Sequence, residues 1–96
     1  MSINEKQLAT ELARKHQLTV KECREIINDL EDMIIKAVVM GQKVLLHRFG
    51  RFERKIRKGR MGIHPRTFEP FPQPDIYIPK FTASQIFKNV VKSKDE

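Results

Sequence analysis

The positive charge of this chain is gathered into one segment. Residues 47–68, HRFGRFERKIRKGRMGIHPRTF, hold eight Lys or Arg against one Glu; the stretches before and after are balanced, seven against seven and four against four, so the whole formal excess of +7 resides there. A basic run alone is most often a solvated face. Complete segregation, with arginine prevailing over lysine, argues instead for a polyanion site, because a guanidinium grips phosphate through parallel N–H donors. Arg48, Arg51, Arg54, Lys55, Arg57, Lys58, Arg60 and Arg66 are the candidate contacts.

Other chemistries find no constellation to work with. His16, His47 and His64 fall on three different predicted elements, the acidic residues sit mostly on solvent faces of helices, and no phosphate-cradling loop or metal-ligand spacing occurs. No catalytic residue, metal, cofactor or small-molecule substrate is therefore expected. Cys23 is the single cysteine, so no disulfide can form within one chain; it falls on an apolar stripe and reads as a small core residue. Nothing at the N-terminus reads as a signal peptide, and a reducing, intracellular setting is expected. No apolar run approaches membrane-spanning length. Ninety-six residues make one domain with a modest core, which a second chain would help to complete.

The elements that must position the basic segment are announced by capping and periodicity. Asn4 with Gln7, Thr19 with Glu22 and Thr82 with Gln85 each put a cap side chain three residues before a Glu or Gln that can reach back, which predicts three helices. The first, about 5–16, carries Leu8, Ala9, Leu12 and Ala13 at helical spacing. The second, about 20–40, repeats apolar residues at Cys23, Ile26, Ile27, Leu30, Met33, Ile34, Ala37 and Val38 and ends at Gly41. That stripe is longer than the first helix can cover, which again favours burial against another subunit. Ile86, Phe87, Val90 and Val91 mark the apolar side of the third helix.

Between the second and third helices the pattern is extended. Val44, Leu45 and Leu46 form a short strand, and Phe49-Gly50-Arg51-Phe52 reads as a tight turn between aromatic anchors. Beyond it, Arg54, Ile56 and Lys58 alternate with Glu53, Lys55 and Arg57; neither set is apolar enough for a core, so the strand projects from the body. Gly59, Gly62 and Pro65 punctuate a turn, and the chain returns through FEPFPQPDIYIP. Its prolines at 70, 72 and 74 share a period of two, so their missing donors lie along one edge and leave the other free to pair in a two-stranded ribbon. A disordered polyproline segment is the competing reading. The order is helix, helix, strand, long basic hairpin, helix, with no internal repeat and no linker.

Three blocks in this order resemble the HU and integration host factor family of bacterial DNA-bending proteins: Arg48-Phe49-Gly50-Arg51-Phe52, Gly62-Ile63-His64-Pro65-Arg66-Thr67 and Ile78-Pro79-Lys80-Phe81. The resemblance runs from about Lys6 to Lys92. Four residues depart from it: Arg48 and Phe68 stand where glycine is usual, Ile63 where arginine is common, and His64 where asparagine is usual. The family implies an α+β fold of two N-terminal helices, a three-stranded antiparallel sheet with a long protruding β-ribbon arm, and a C-terminal helix, assembled as an intertwined dimer. It implies a single domain over 1–96, with a helical dimerisation part at about 4–41, the sheet and DNA-binding arm at about 43–79, and the last helix at about 82–92.

By the same resemblance the partner is double-stranded DNA, held in its minor groove by one arm from each subunit, with Pro65 intercalating at the arm tip. Ile63, His64 and Arg66 would flank that wedge, and Lys80, Lys88 and Lys92 would extend the phosphate track. A homodimer is expected, with a heterodimer beside a paralogue open, in the cytoplasm and associated with the nucleoid. Architectural, largely sequence-independent binding and bending is the expected function. Site-preferring bending in the manner of integration host factor stays open, as does a different class, structured-RNA binding by the basic hairpin. Association with anionic membranes lacks the apolar helical face it would need, and a purely structural clasp between subunits would show little salt dependence.

Overall fold

Local chemistry fixes the first two helices where the sequence predicts them. The computed structural model describes residues 1–93, and in it α1 spans Glu5–His16 and α2 spans Val20–Val39. Asn4 Oδ1 accepts the Gln7 amide at 2.9 Å while Gln7 Oε1 accepts the Asn4 amide at 2.8 Å. Thr19 and Glu22 repeat the exchange at 3.0 and 2.9 Å, so two of the orphan donors at each helix start are satisfied. Gln17, in the left-handed region at φ 57°, ends α1. Gly41, at φ +84°, ends α2, and amides 41 and 42 return to the carbonyls of Val38 and Ala37.

The chain forms two compact units, Met1–Lys36 and the part from Ala37 onward. In the first, small residues let α1 and α2 approach: Ala9, Ala13 and Cys23 are buried, and Val20 and Ile27 pack against them. An ion pair of 3.5 Å joins Arg24 to Glu5 across the two helices. Cys23 is thus the core residue its position suggested. Part of the long stripe is not covered: Ile26, Leu30 and Met33 remain exposed.

In the second unit β1 (Val44–Leu46), β2 (Gly50–Arg57) and β5 (Ile76–Ala83) make an antiparallel sheet in the order β1-β2-β5. Four phenylalanines hold the base of that sheet to α3 (Gln85–Lys92). The Phe49 ring lies 6.1 Å from Phe52, 5.2 Å from Phe81 and 5.5 Å from Phe87, and Phe52 lies 4.9 Å from Phe81. Phe49 and Phe87 are stacked and the other three pairs are tilted, contacts each worth about 0.5–1.5 kcal/mol beyond burial.

Two expectations for this region are corrected. The turn occupies residues 47–49, and Gly50 already belongs to β2, opposite Leu46 and Ala83. Glycine is needed there for space, not for an unusual backbone angle: a Cβ would stand 2.5 Å from the Thr82 carbonyl oxygen and 2.6 Å from the Phe81 ring. The third helix is capped by Ser84, not Thr82. Thr82 is held opposite Arg51 in the β2–β5 ladder, and its hydroxyl is buried without a partner. Ser84 is free of the strand; its Oγ accepts the Phe87 amide at 3.0 Å and donates to the Arg48 carbonyl at 2.8 Å. Sheet pairing overrides a capping pattern of equal local merit.

Beyond Arg57 the hairpin continues as β3 (Met61–Ile63) paired with β4 (Pro70–Pro72). Residue 57 faces 76 and residue 61 faces 72, so three residues oppose three across the break and one register runs from Gly50 to the tip. The bonds flanking this pair, Gln73 amide to Arg60 carbonyl at 3.0 Å and His64 amide to Glu69 carbonyl at 2.9 Å, use only odd positions of the returning strand. Pro70 and Pro72 occupy the intervening positions, as the period of two requires, and the disordered alternative falls away. Among the described residues no helix is long and apolar enough to cross a membrane.

Candidate nucleic-acid interface

The root of the arm is locked by its own charges. Arg51 Nε meets Glu53 Oε2 at 2.9 Å, and Lys43 lies 3.9 Å from the other oxygen of that half-buried carboxylate. Arg54, on the alternate side of β2, donates from Nη1 to the Val39 carbonyl at 3.1 Å, at the end of α2. Its guanidinium carbon also sits 3.9 Å above the Tyr77 ring centroid. Two predicted contacts therefore already have partners inside the chain. A guanidinium can stack and donate together because its π face and N–H edge are separate surfaces.

The free cations lie farther out. Lys55 and Arg57, exposed, share one side of β2 and face Ile78 and Ile76 in the ladder. At the break Gly59 donates its amide to Asp75 Oδ1 at 2.7 Å, and Lys58 Nζ lies 3.7 Å from Asp75 Oδ2. A Cβ on Gly59 would fall 1.7 Å from the Gln73 carbonyl oxygen, so only glycine lets the strands stay this close. Arg60 and Arg66 are exposed on either side of the tip.

The tip is a tight loop closed by the 64–69 pair. The Phe68 amide donates to the His64 carbonyl at 2.8 Å, the Arg66 amide to His64 Nδ1 at 3.2 Å, and the Glu69 amide to Thr67 Oγ1 at 3.4 Å. His64 Nδ1 is thus occupied as an acceptor, which leaves Nε2 as the ring atom that can donate outward. Pro65 is exposed between these anchored residues. Phe68, in a position where the resemblance expects glycine, adopts φ 57°.

The remaining predicted residues are distributed as follows. Ile63 is exposed on β3 opposite Pro70. Arg48 is exposed in the 47–49 turn and, with Phe49, Ile86, Phe87 and Val90, borders a shallow apolar groove. Lys80 is exposed on β5, where Glu53 is its ladder partner, and Lys88 and Lys92 are one turn apart on the exposed side of α3. The hairpin thus unites the cations from Lys55 to Arg66, whereas Arg48 and the three lysines lie toward its base. Sequence reasoning passed over Tyr77, Asp75 and Glu53, which position Arg54, Lys58 and Arg51. The Pro74-Asp75 pair was a readable signal for a turn-like constraint; nothing local marked Tyr77. Among the described residues no group of three or more His, Cys, Asp or Glu is placed to hold a metal ion.

Comparison with known proteins agrees with this geometry. A family model described as "Bacterial DNA-binding protein" matches residues 3–92. The chain is 35% identical to the DNA-binding protein HU of Nostoc sp. over 93% of its length and 95% of the relative's. With the HU of Clostridium pasteurianum the identity is 36% over 93% and 98%. A cocrystal structure of Anabaena HU with DNA superposes at a TM-score of 0.85 with 34% identity, covering 96% of this chain and all of that one.

Proposed function

This chain belongs to the bacterial DNA-binding protein family, and on that premise we propose that it is an architectural binder that bends double-stranded DNA with little regard to sequence. The observation that carries the reading is the single-register hairpin from Gly50 to Ala83, largely exposed beyond Arg54, with its cations on the outgoing strand and the tip, and closed by a proline-bearing loop. Lys55, Arg57, Arg60 and Arg66 neutralise phosphates and line the minor groove; Arg48, Lys80, Lys88 and Lys92 continue the track at the base. Counterion release supplies the affinity and carries no sequence information.

Pro65 acts as the wedge. It has no amide to desolvate, its ring is stiff, and the loop hydrogen bonds around it keep the tip from yielding. Partial unstacking costs about a few kcal/mol per step, the general figure for architectural minor-groove binders, this family among them. The bent duplex repays it through added contacts with the arms and sheet.

Two copies act together. The exposed Ile26, Leu30 and Met33 on α2, and the apolar groove beside Phe49 and Phe87, are surfaces that a second copy would bury. The assembly places one arm on each side of a duplex, in the nucleoid and the cytoplasm, and works by binding energy without a chemical step. Ligation of short DNA fragments tests the reading: the protein is expected to promote circle closure, and Pro65→Ala to reduce closure more than it reduces binding in a gel shift. Unchanged closure with Pro65→Ala removes the wedge; preference for duplex RNA over duplex DNA removes the function.

A further inference from the structure

Phe68 is placed in a way that folding alone does not reward. It is an aromatic residue at φ 57°, a region that suits glycine and is unfavourable for a residue with a branched bulk beyond Cβ. Its side chain is nevertheless 76% exposed, so burial within the chain offsets little of that strain. The loop enforces the arrangement through the Phe68 amide on the His64 carbonyl and the Glu69 amide on Thr67. A strained and exposed apolar side chain held by its neighbours points to a partner outside the chain.

The surroundings state what kind of partner. In the ribbon leading to this loop Met61 faces Pro72 and Ile63 faces Pro70, so alternation puts all four on one side, where Met61 and Ile63 are exposed. The other side carries Arg60 and the ring of Phe71, and Arg66 is exposed in the loop beyond. The end of the arm therefore couples an apolar surface to cations, the combination that suits a nucleic acid whose stacked bases are being separated: phosphates meet the cations, and exposed base faces meet apolar or aromatic groups.

We propose that Phe68 is a second stacking residue of the arm tip, whose ring lies against a base exposed at the step that Pro65 opens. The inference rests on the DNA-bending reading and adds a residue to it. Proline wedges a step but offers little flat surface; a phenyl ring next in the same loop covers the base face that the wedge leaves in water.

The chain contains no tryptophan, so Phe68→Trp installs a single indole reporter at the tip while keeping an aromatic ring. Full-length protein is titrated with a short duplex, and acrylamide quenching of the indole is compared free and bound. Strong quenching in the free protein and at least roughly fivefold protection in the complex are expected, and Phe68→Gly, which eases the backbone, is expected to weaken duplex binding by on the order of fivefold or more without lowering the unfolding midpoint. If the duplex binds but the indole stays as accessible as before, or if Phe68→Gly binds as tightly as the parent, the second stacking residue is refuted and the bending reading stands. An indole already shielded in the free protein also refutes it, because the ring then rests on protein. If the parent chain binds no duplex at all, both readings fall.

Discussion

Arg54 and Arg57 are three residues apart on β2, and the structure gives them opposite work. The Arg54 guanidinium is engaged by the Val39 carbonyl at 3.1 Å and the Tyr77 ring at 3.9 Å. Arg57 is exposed and has no ion-pair partner among the described residues. Replacing Arg54 by Ala removes a charged hydrogen bond, worth about 1 kcal/mol at a half-exposed site, and a cation–π contact worth about 0.5–1 kcal/mol. The expected loss is about 1–2 kcal/mol, or roughly 5–15 °C in unfolding midpoint for a chain of this size. Arg57→Ala should leave the midpoint unchanged and reduce the slope of log affinity against log salt by about 0.9 per arm, close to two in a dimer. Thermal unfolding by circular dichroism and a salt titration of duplex binding separate the two effects. If Arg54→Ala lowers the salt slope as much as Arg57→Ala and leaves the midpoint alone, the assignment of Arg54 to the arm's root is wrong.

Gly50→Ala puts a Cβ 2.5 Å from a backbone oxygen and 2.6 Å from the Phe81 ring, so the sheet or the phenylalanine cluster must move, at about 1–3 kcal/mol; the urea midpoint should fall, and an unchanged midpoint would show that the strand slides freely. Glu22 carries the pH dependence of the α2 cap: the Thr19 amide, and then its hydroxyl, hold this carboxyl below its ordinary value of 4.5. A depressed folded-state value means that the stabilisation is complete above 4.5 and fades as pH falls through the folded value. Glu22→Gln should accordingly flatten part of the acid-side decline, with Glu11, lowered in the same direction by its hydrogen bond from Arg14, retaining another part. Stability measured by urea at stepped pH checks this, and an identical decline in the two proteins contradicts it.

What could be read in the sequence was what depends on near neighbours or on a strict period. The caps at Asn4 and Thr19 need only residues three positions apart, and both formed as expected. The prolines at 70 and 72 needed only the two-residue alternation of a strand. Gly50 was misread because the atoms that require it, on Phe81 and Thr82, come from a strand more than thirty positions later. Thr82 was misread for the complementary reason: its local pattern matched a cap, but pairing with Arg51 claimed its backbone first. Arg54 looked like any other member of a basic alternation, since its partners Val39 and Tyr77 lie far away on either side.

The same distant partners change what the charge segregation means. Eight cations in residues 47–68 suggest eight phosphates per chain, yet Arg51 is paired with Glu53, Lys58 with Asp75, and Arg54 is spent on a carbonyl and a ring. Five have no ion-pair partner among the described residues: Arg48, Lys55, Arg57, Arg60 and Arg66. For two chains this segment's contribution to the salt slope is then about −9, and not the value near −14 that its formal count implies; any contact by Lys80, Lys88 or Lys92 adds to it. The committed three are not surplus. Arg54 ties the arm to the end of α2, Arg51 and Glu53 stiffen the strand beside the phenylalanines, and Asp75 holds the break through both Gly59 and Lys58. On the proposed reading, an arm that transmits force from its root to a wedge at its tip must resist bending along its length. Charge spent inside the hairpin would supply that stiffness, and charge left outside it would supply the grip.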